Sequence, residues 1–394
     1  MRIFRLIIKP LAYFILNRIV VTREEMILTD AISSKKLRDN YSYKPEYTPT
    51  VSNNARFTGL PSSVEVSPFY IYCIKGVCLI GPYGIPVMSN GKILQEQSRG
   101  SVIKYIRRTI ATLGLIKFFK AYVEAVFTNR GHAINCGFHL VPNHGYTPAT
   151  PNYCHWILEN LPQLFALTSI DIDEPKLIVN ANMAKWQNES LSALGFESAH
   201  IFPLSSNLTR VKTLFLSSMR GATSSNSERD PLGRSWVINN LKNSELKEPK
   251  FKNPKRIFLS RQDMTRGFIS NMDELQSLLD QYNIETYHPG SISFKDDINI
   301  FNAAELLVAP HGAALANMVF TKDCHVIELV AGVKRDADFF YFTALEFGLS
   351  YDTAECERDL KYESENKHID EAWRVDILML ERSIKIGLSM INKN

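Results

Sequence analysis

The chain reads as an α/β protein built from two Rossmann-like units, and three observations lead there. Strand-length and helix-length apolar patterns alternate from about residue 134 to 217, the alternation restarts over 256–330, and a charged, proline-bearing stretch at 242–256 separates the two runs. Alternation of this kind marks a parallel sheet with crossover helices. Composition agrees: 394 residues, 45% apolar, 11% aromatic and 22% charged, is ordinary globular usage, which excludes disorder, collagen-like repeats and coiled coil. At roughly 150 residues per domain, the length accommodates two to three domains, each able to bury its own core.

The N-terminal stretch MRIFRLIIKPLAYFILNRIVV is apolar but interrupted by Arg5, Lys9, Pro10 and Arg18. A spanning helix needs about 20 apolar residues, so none fits, and no small-residue cleavage site follows. The expectation is a chain that starts here and stays in the cytoplasm. Basic residues interleaved with Phe4, Leu6, Ile7, Leu11, Phe14 and Ile15 suit a helix in residues 1–20 lying on an anionic membrane surface; a helix packed on its own domain suits the pattern equally. Residues 20–65 are polar and irregular, so 1–65 is read as a basic segment and lead-in.

Residues 68–87 are β-rich, with Gly76 and Gly81-Pro82 as hairpin punctuation, and Cys73 and Cys78 flank the first of these turns. Apolar spacing of three to four over 101–127 predicts one or two amphipathic helices whose basic residues form a solvated face. In the first alternating run, INCGFHLV, KLIVN and VKTLFLS are strands, with helices over YCHWILENLPQLFALTSI and 186–194. The charged stretch 242–256 then reads as a linker. The second run has strands at 256–260, 284–288, 305–309 and 325–330, with helices at 272–282, near 294–303 and from about Ala313. Asn271 and Glu274 stand in capping-box positions at the start of the 272–282 helix. A last amphipathic helix is expected from about His368 to Asn392, carrying Trp373, Val375, Ile377, Leu378 and Leu380.

A formal charge of +4, from 45 basic against 41 acidic residues, is too small for a nucleic-acid partner. The six cysteines are scattered without the short paired spacing a zinc site needs, and read as thiols in a reducing compartment. No metal site is expected.

Four segments could carry chemistry. In VAPHGAALAN (308–317) an apolar strand runs through His311 and Gly312 into small residues, Ala313 onward to Asn317, that open a helix. Small residues admit a ligand to the backbone, and helix N–H groups favour phosphate. In LSRQDMTRG (259–267), Ser260, Arg261 and Arg266 follow a buried strand, and guanidinium pairs with phosphate oxygens in fork geometry. In NYCHWILENLP (152–162), His155 and Glu159 stand i, i+4, so the carboxylate could orient an imidazole acting as general base. Glu328, in HVIELV, is an acid that could hold a ribose. Each has a plain structural alternative: a tight turn, solvated arginines, a satisfied buried histidine, an edge carboxylate.

Together these segments resemble glycosyltransferase family 61. PNYCHWILENLPQL is similar to its HWLLDxLPRL segment, RIFLSRQDMTRGFISNMDEL to its ISRRxAxxRxxxNxDEL segment, and LLVAPHGAALANMVFTKDCHVIEL to its VVGPHGAGLTNLLFxPxxxxVEL segment. The resemblance runs over roughly 134–332. Gln262 stands where a second arginine is common, Ala314 replaces a glycine and Glu159 an aspartate.

The resemblance implies a GT-B architecture, two facing Rossmann-like domains with a cleft between them. It would place an acceptor-side domain at 66–245, a nucleotide-sugar domain at 256–352, and a tail and helix at 353–394 returning to the N-terminal domain. The implied reaction is inverting transfer from a nucleoside diphosphate sugar to a glycan or lipid-linked acceptor, of the kind used in capsular polysaccharide synthesis. His155 or Glu159 would be the base. Ser260, Arg261, Arg266, His311, Gly312, Ala313, Asn317 and Glu328 would bind the donor. Arginines and helix N–H groups can do at the diphosphate what a divalent metal does elsewhere, so metal independence is expected, with no cofactor. A different class stays open: two Rossmann-like halves could form a dinucleotide enzyme, although no Gly-x-Gly-x-x-Gly follows a strand, or a non-catalytic nucleotide-sugar-binding protein.

Overall fold

The fold is that of a computed structural model, which describes residues 20–21, 32–39, 41–43, 64–66, 68–94, 102–128, 133–141, 151–171, 175–204, 207–218, 231–245, 254–331 and 337–391. The helix expected in residues 1–20 lies outside the described residues except at Val20. The chain divides into two compact units: Met1–Tyr41, Ser67–Gly221 and Glu228–Gly233 in the first, and Ser42–Val66, Ala222–Ser227 and Arg234–Asn394 in the second. The division falls before the 242–256 stretch read as a linker.

The first unit contains β1 (Val20–Val21) and β2 (Ile32–Arg38); a separate pair is formed by β3 (Tyr41–Tyr43) and β4 (Val64–Val66). Its sheet continues with β5 (Phe69–Ile80), β6 (Ile85–Val87), β7 (Ile93–Leu94), β8 (Ile134–His139), β9 (Lys176–Asn180), β10 (Ile201–Leu204) and β11 (Leu208–Ser217), in the order β1-β7-β6-β5-β11-β8-β9-β10 with β2 on β5. Strands β11, β8, β9 and β10 are parallel, as the alternation predicts, and β5 joins β11 antiparallel. Helices α1 (Val102–Leu113) and α2 (Leu115–Phe127) break at Gly114, whose φ is 86°; they bury Tyr105, Ile106, Phe118, Ala121 and Ala125 against β5–β7. Helix α3 (Lys185–Ala193) follows β9.

One expected turn is absent. Cys73 and Cys78 lie on a single twelve-residue strand, β5, which runs straight through Gly76. With φ at 64°, Gly76 changes which side chains face inward: Tyr72 and Ile74 enter the same core as Val77 and Leu79. The strand switches parity instead of reversing, a conformation that needs glycine.

Helix α4 (Pro231–Glu245) lies in the second unit from Arg234 onward, and Arg234 forms a buried 2.8 Å ion pair with Glu346. Its sheet comprises β12 (Arg256–Leu259), β13 (Arg266–Ile269), β14 (Glu285–Tyr287), β15 (Leu306–Pro310), β16 (His325–Ala331), β17 (Ser350–Arg358) and β18 (Glu371–Val375), in the order β13-β18-β17-β16-β15-β12-β14. From β14 to β17 all pairs are parallel. Helix α5 (Met272–Gln281) packs on one face, while α6 (Phe294–Ala303) contacts the 3-10 helix Ala313–Phe320, which α7 (Ala337–Glu346) also contacts. The short α8 (Leu360–Glu365) adjoins β18, and α9 (Ile377–Ile391) ends the description.

One reading of the C-terminal region is corrected. Glu371–Val375 is a strand, so the final helix starts at Ile377 rather than near His368. The Asn271 side chain helps set this: its Oδ1 accepts from Val375 N at 2.9 Å and its Nδ2 donates to Val375 O at 3.0 Å, so it clamps β18 instead of capping α5 through its side chain. The apolar stripe of α9 also finds its partner within its own unit, where Leu380 and Ile384 join Phe258, Leu306, Ile327 and Ala354 in one core. Gly387 permits this packing, since a Cβ there would lie 2.4 Å from the His325 ring.

Candidate active site

The second unit has a topological switch point. After β12 the chain passes through β13 and α5 to β14, on one side of β12; after β15 it passes to β16, on the other. Connections leaving adjacent strands in opposite directions open a crevice at the carboxyl ends, where open α/β sheets bind ligands. The two loops there carry Ser260–Thr265 and His311–Gly312, the segments singled out by sequence.

Arg261 ties this crevice together. Its Nη1 donates to His311 O at 2.7 Å and its Nη2 to Arg266 O at 3.0 Å, so one guanidinium joins the loops after β12 and β15 to the start of β13. Burial pulls its pKa below the usual arginine range, and its Nε is buried without a partner among the described residues. Gly312 exists for this contact: a Cβ at that position would meet Nη1 at 1.6 Å. Arg266 is different, with a side chain 72% exposed and Nη2 at 3.5 Å from Glu371 Oε2. The two arginines expected as one clamp therefore divide into a half-buried tie and a solvent-facing cation. Gln262, next to Arg261, donates from Nε2 to Ile269 O at 3.0 Å.

His311 stands at the end of β15 with Nδ1 at 2.5 Å from Glu328 Oε1 and its ring edge-on to Phe340. Glu328 is fully buried, and its second oxygen accepts from the Tyr351 hydroxyl. A carboxylate so placed orients the imidazole and has no exposed surface to offer a ribose. Tyr351 was missed in sequence because it comes from the neighbouring strand β17. Ser260 is buried, with its N donating to Tyr287 O at 2.9 Å, which seats the end of β12 beside β14. Ala313 opens the 3-10 helix, and buried Asn317 donates from Nδ2 to Ala314 O at 3.0 Å.

In the first unit, His155 and Glu159 meet as their spacing predicts, with Nδ1 and Oε1 at 2.7 Å. The helix around them is irregular. An α-turn at Tyr153–His155, begun by Asn152 accepting from His155 N, widens into π-helix at Trp156–Asn160 and tightens to 3-10 at Leu161–Ser169. Single π-turns inside helices are frequent at functional sites. The segment is anchored by Trp156, fully buried, whose Nε1 donates to Ser190 Oγ at 2.9 Å while its ring meets Trp186 edge-on.

The expected residues thus fall into two groups, His155 and Glu159 in the first unit and the remainder in the second. Among the described residues, no group of three or more His, Cys, Asp or Glu could hold a metal ion, and no helix is long and apolar enough to cross a membrane.

No curated protein matches the chain. The family model described as glycosyltransferase 61 matches residues 153–327, a stretch that begins two residues before His155, takes in Arg261, Arg266 and His311, and ends one residue before Glu328. Over residues 153–327 the chain is therefore similar to glycosyltransferase family 61.

Proposed function

We propose that the protein moves a sugar from a nucleoside diphosphate sugar to a hydroxyl of a glycan or lipid-linked acceptor, with inversion, in surface polysaccharide synthesis at the cytoplasmic membrane face. The family match over residues 153–327 points to glycosyltransferase activity; the donor, the acceptor, the stereochemistry and a GT-B arrangement of the two units are parts of this reading. The observation that carries it is the convergence of Arg261, Gly312 and the His311–Glu328 pair on the switch-point crevice.

In this reading the diphosphate lies at the loops after β12 and β15. Arg266 contacts it, Arg261 supplies a fixed positive charge while shaping both loops, and N–H groups at the start of the 3-10 helix add donors. These groups do the work a divalent metal does elsewhere, so neither metal nor other cofactor is invoked. The His155 side chain is 21% exposed and that of Glu159 only 4%, which selects His155 as the base and Glu159 as its positioning residue. A proton held on Nδ1 by the carboxylate puts the basic lone pair on Nε2. The acceptor hydroxyl gives its proton to Nε2, its oxygen bonds to the anomeric carbon, and the carbon–oxygen bond to the diphosphate breaks with its electron pair leaving on the nucleoside diphosphate.

The test is incubation with a panel of nucleoside diphosphate sugars without acceptor, following release of nucleoside diphosphate. Slow release from a particular donor supports the reading. Binding with no release from any donor would leave a nucleotide-sugar-binding protein.

A further inference from the structure

The first unit carries a surface that the transfer reaction does not use. Helix α2 is apolar on two faces. One face, through Phe118, Ala121 and Ala125, is buried in the unit's core. The other presents Leu115, Ile116, Phe119, Val123 and Phe127 to solvent, with Ile116 84%, Phe119 55% and Phe127 79% exposed. At 100° per residue these five side chains fill one continuous arc of about 120°. Lys120 borders that arc, and Glu124 and then Lys117 follow on the same side, Lys117 about 80° past the arc's edge; both lysines are exposed.

Charge follows the same geometry. The α1–α2 hairpin contains Lys104, Arg107, Arg108, Lys117 and Lys120 against one acid, Glu124, so it alone accounts for the chain's excess of four positive charges. Glu124 is neutralised locally by Arg210, whose Nη2 lies 3.7 Å from its carboxylate. We propose that the exposed face of α2 docks the protein on an anionic lipid bilayer, with the Phe and Ile side chains entering the headgroup boundary and the lysines meeting lipid phosphates. An apolar arc with a lysine at its border and a net positive hairpin behind it is the pattern of an interfacial helix. The helix cannot leave the fold to span, because its opposite face is core. It lies flat, and its 13 residues extend about 20 Å along the surface. The proposal rests on α2 and not on residues 1–20.

The experiment is co-sedimentation of the full chain with vesicles of phosphatidylcholine alone and of phosphatidylcholine with 30 mol% phosphatidylglycerol, alongside light scattering without lipid. Wild type should sediment with the anionic vesicles and far less with the neutral ones. Phe119→Gln with Phe127→Gln should weaken anionic-vesicle binding at least tenfold, and Lys117→Gln with Lys120→Gln should remove most of its salt dependence. All four positions are exposed, and circular dichroism checks that each variant folds. Equal sedimentation of wild type and the Phe variant would overturn the proposal and move any membrane contact elsewhere, residues 1–20 included. A concentration-dependent dimer dissolved by the same Phe substitutions would overturn it in favour of a second copy on this face.

Discussion

A Cβ at residue 312 and the Nη1 of Arg261 would stand 1.6 Å apart, so the glycine at the end of the VAPHG run leaves the space that the guanidinium of the arginine after β12 occupies. Gly312→Ala should therefore displace the guanidinium and lower nucleoside diphosphate affinity about as much as Arg261→Ala does. The double variant should be little worse than either single one, because both remove the same contact. Calorimetric titration with the nucleoside diphosphate measures all three; additive losses would mean that the residues act separately.

Arg261→Ala and Arg266→Ala should differ in kind. Removing Arg261 deletes two charge-assisted bonds to backbone carbonyls, each worth about 1.5–3 kcal/mol, and should lower both stability and affinity. Removing the exposed Arg266 should lower affinity tenfold or more with denaturation unchanged. A chemical denaturation series beside the titration separates them.

His155→Ala should lower the rate of transfer by two orders of magnitude or more and leave donor affinity nearly intact, the size expected for loss of a general base. Glu159→Gln should retain part of the activity with its pH profile shifted, since an orienting carboxylate is lost while the base remains. Loss of donor binding in His155→Ala would place the imidazole on the donor instead.

Two buried histidines set an acid limit. Burial lowers His139 and His325 from 6.5 to about 4, each partly offset, the first by its hydrogen bond to Gly84 O and the second by Asp352. The unfolded chain binds protons that the folded one refuses between those values, so this stability is present above about pH 6.5 and is lost as pH falls toward 4. The loss is up to about 3 kcal/mol per histidine. Denaturation midpoints for wild type and His139→Gln across that range measure the first contribution.

Much of this was legible in the sequence because periodicity reports layers: the strands at 256, 284, 305 and 325 and the helices at 272 and 294 stand where their patterns put them. The i, i+4 relation of His155 and Glu159 survived even though the turn between them is π-helical, since adding one residue per turn still leaves both side chains on one side. What stayed hidden depends on partners far away in the chain. Glu328 looked like an edge acid, and only Tyr351 on the next strand shows it to be interior. Arg261 looked like half of a phosphate clamp, and only the carbonyls of His311 and Arg266 show it to be a tie. Glu371–Val375 merged into a helical pattern because its alternation is short and runs into that of α9, although Asp376, which accepts from Met379 N at 3.0 Å, marks the boundary.

The central claim, inverting transfer from a nucleoside diphosphate sugar, is tested most directly by the anomeric configuration of the sugar first released. Proton NMR at early times of slow donor hydrolysis, before mutarotation, reads it. The account predicts the anomer opposite to that of the donor, formed by wild type and at least a hundredfold more slowly by His155→Ala. Release of the donor's own anomer, or equal rates in the two proteins, would contradict it.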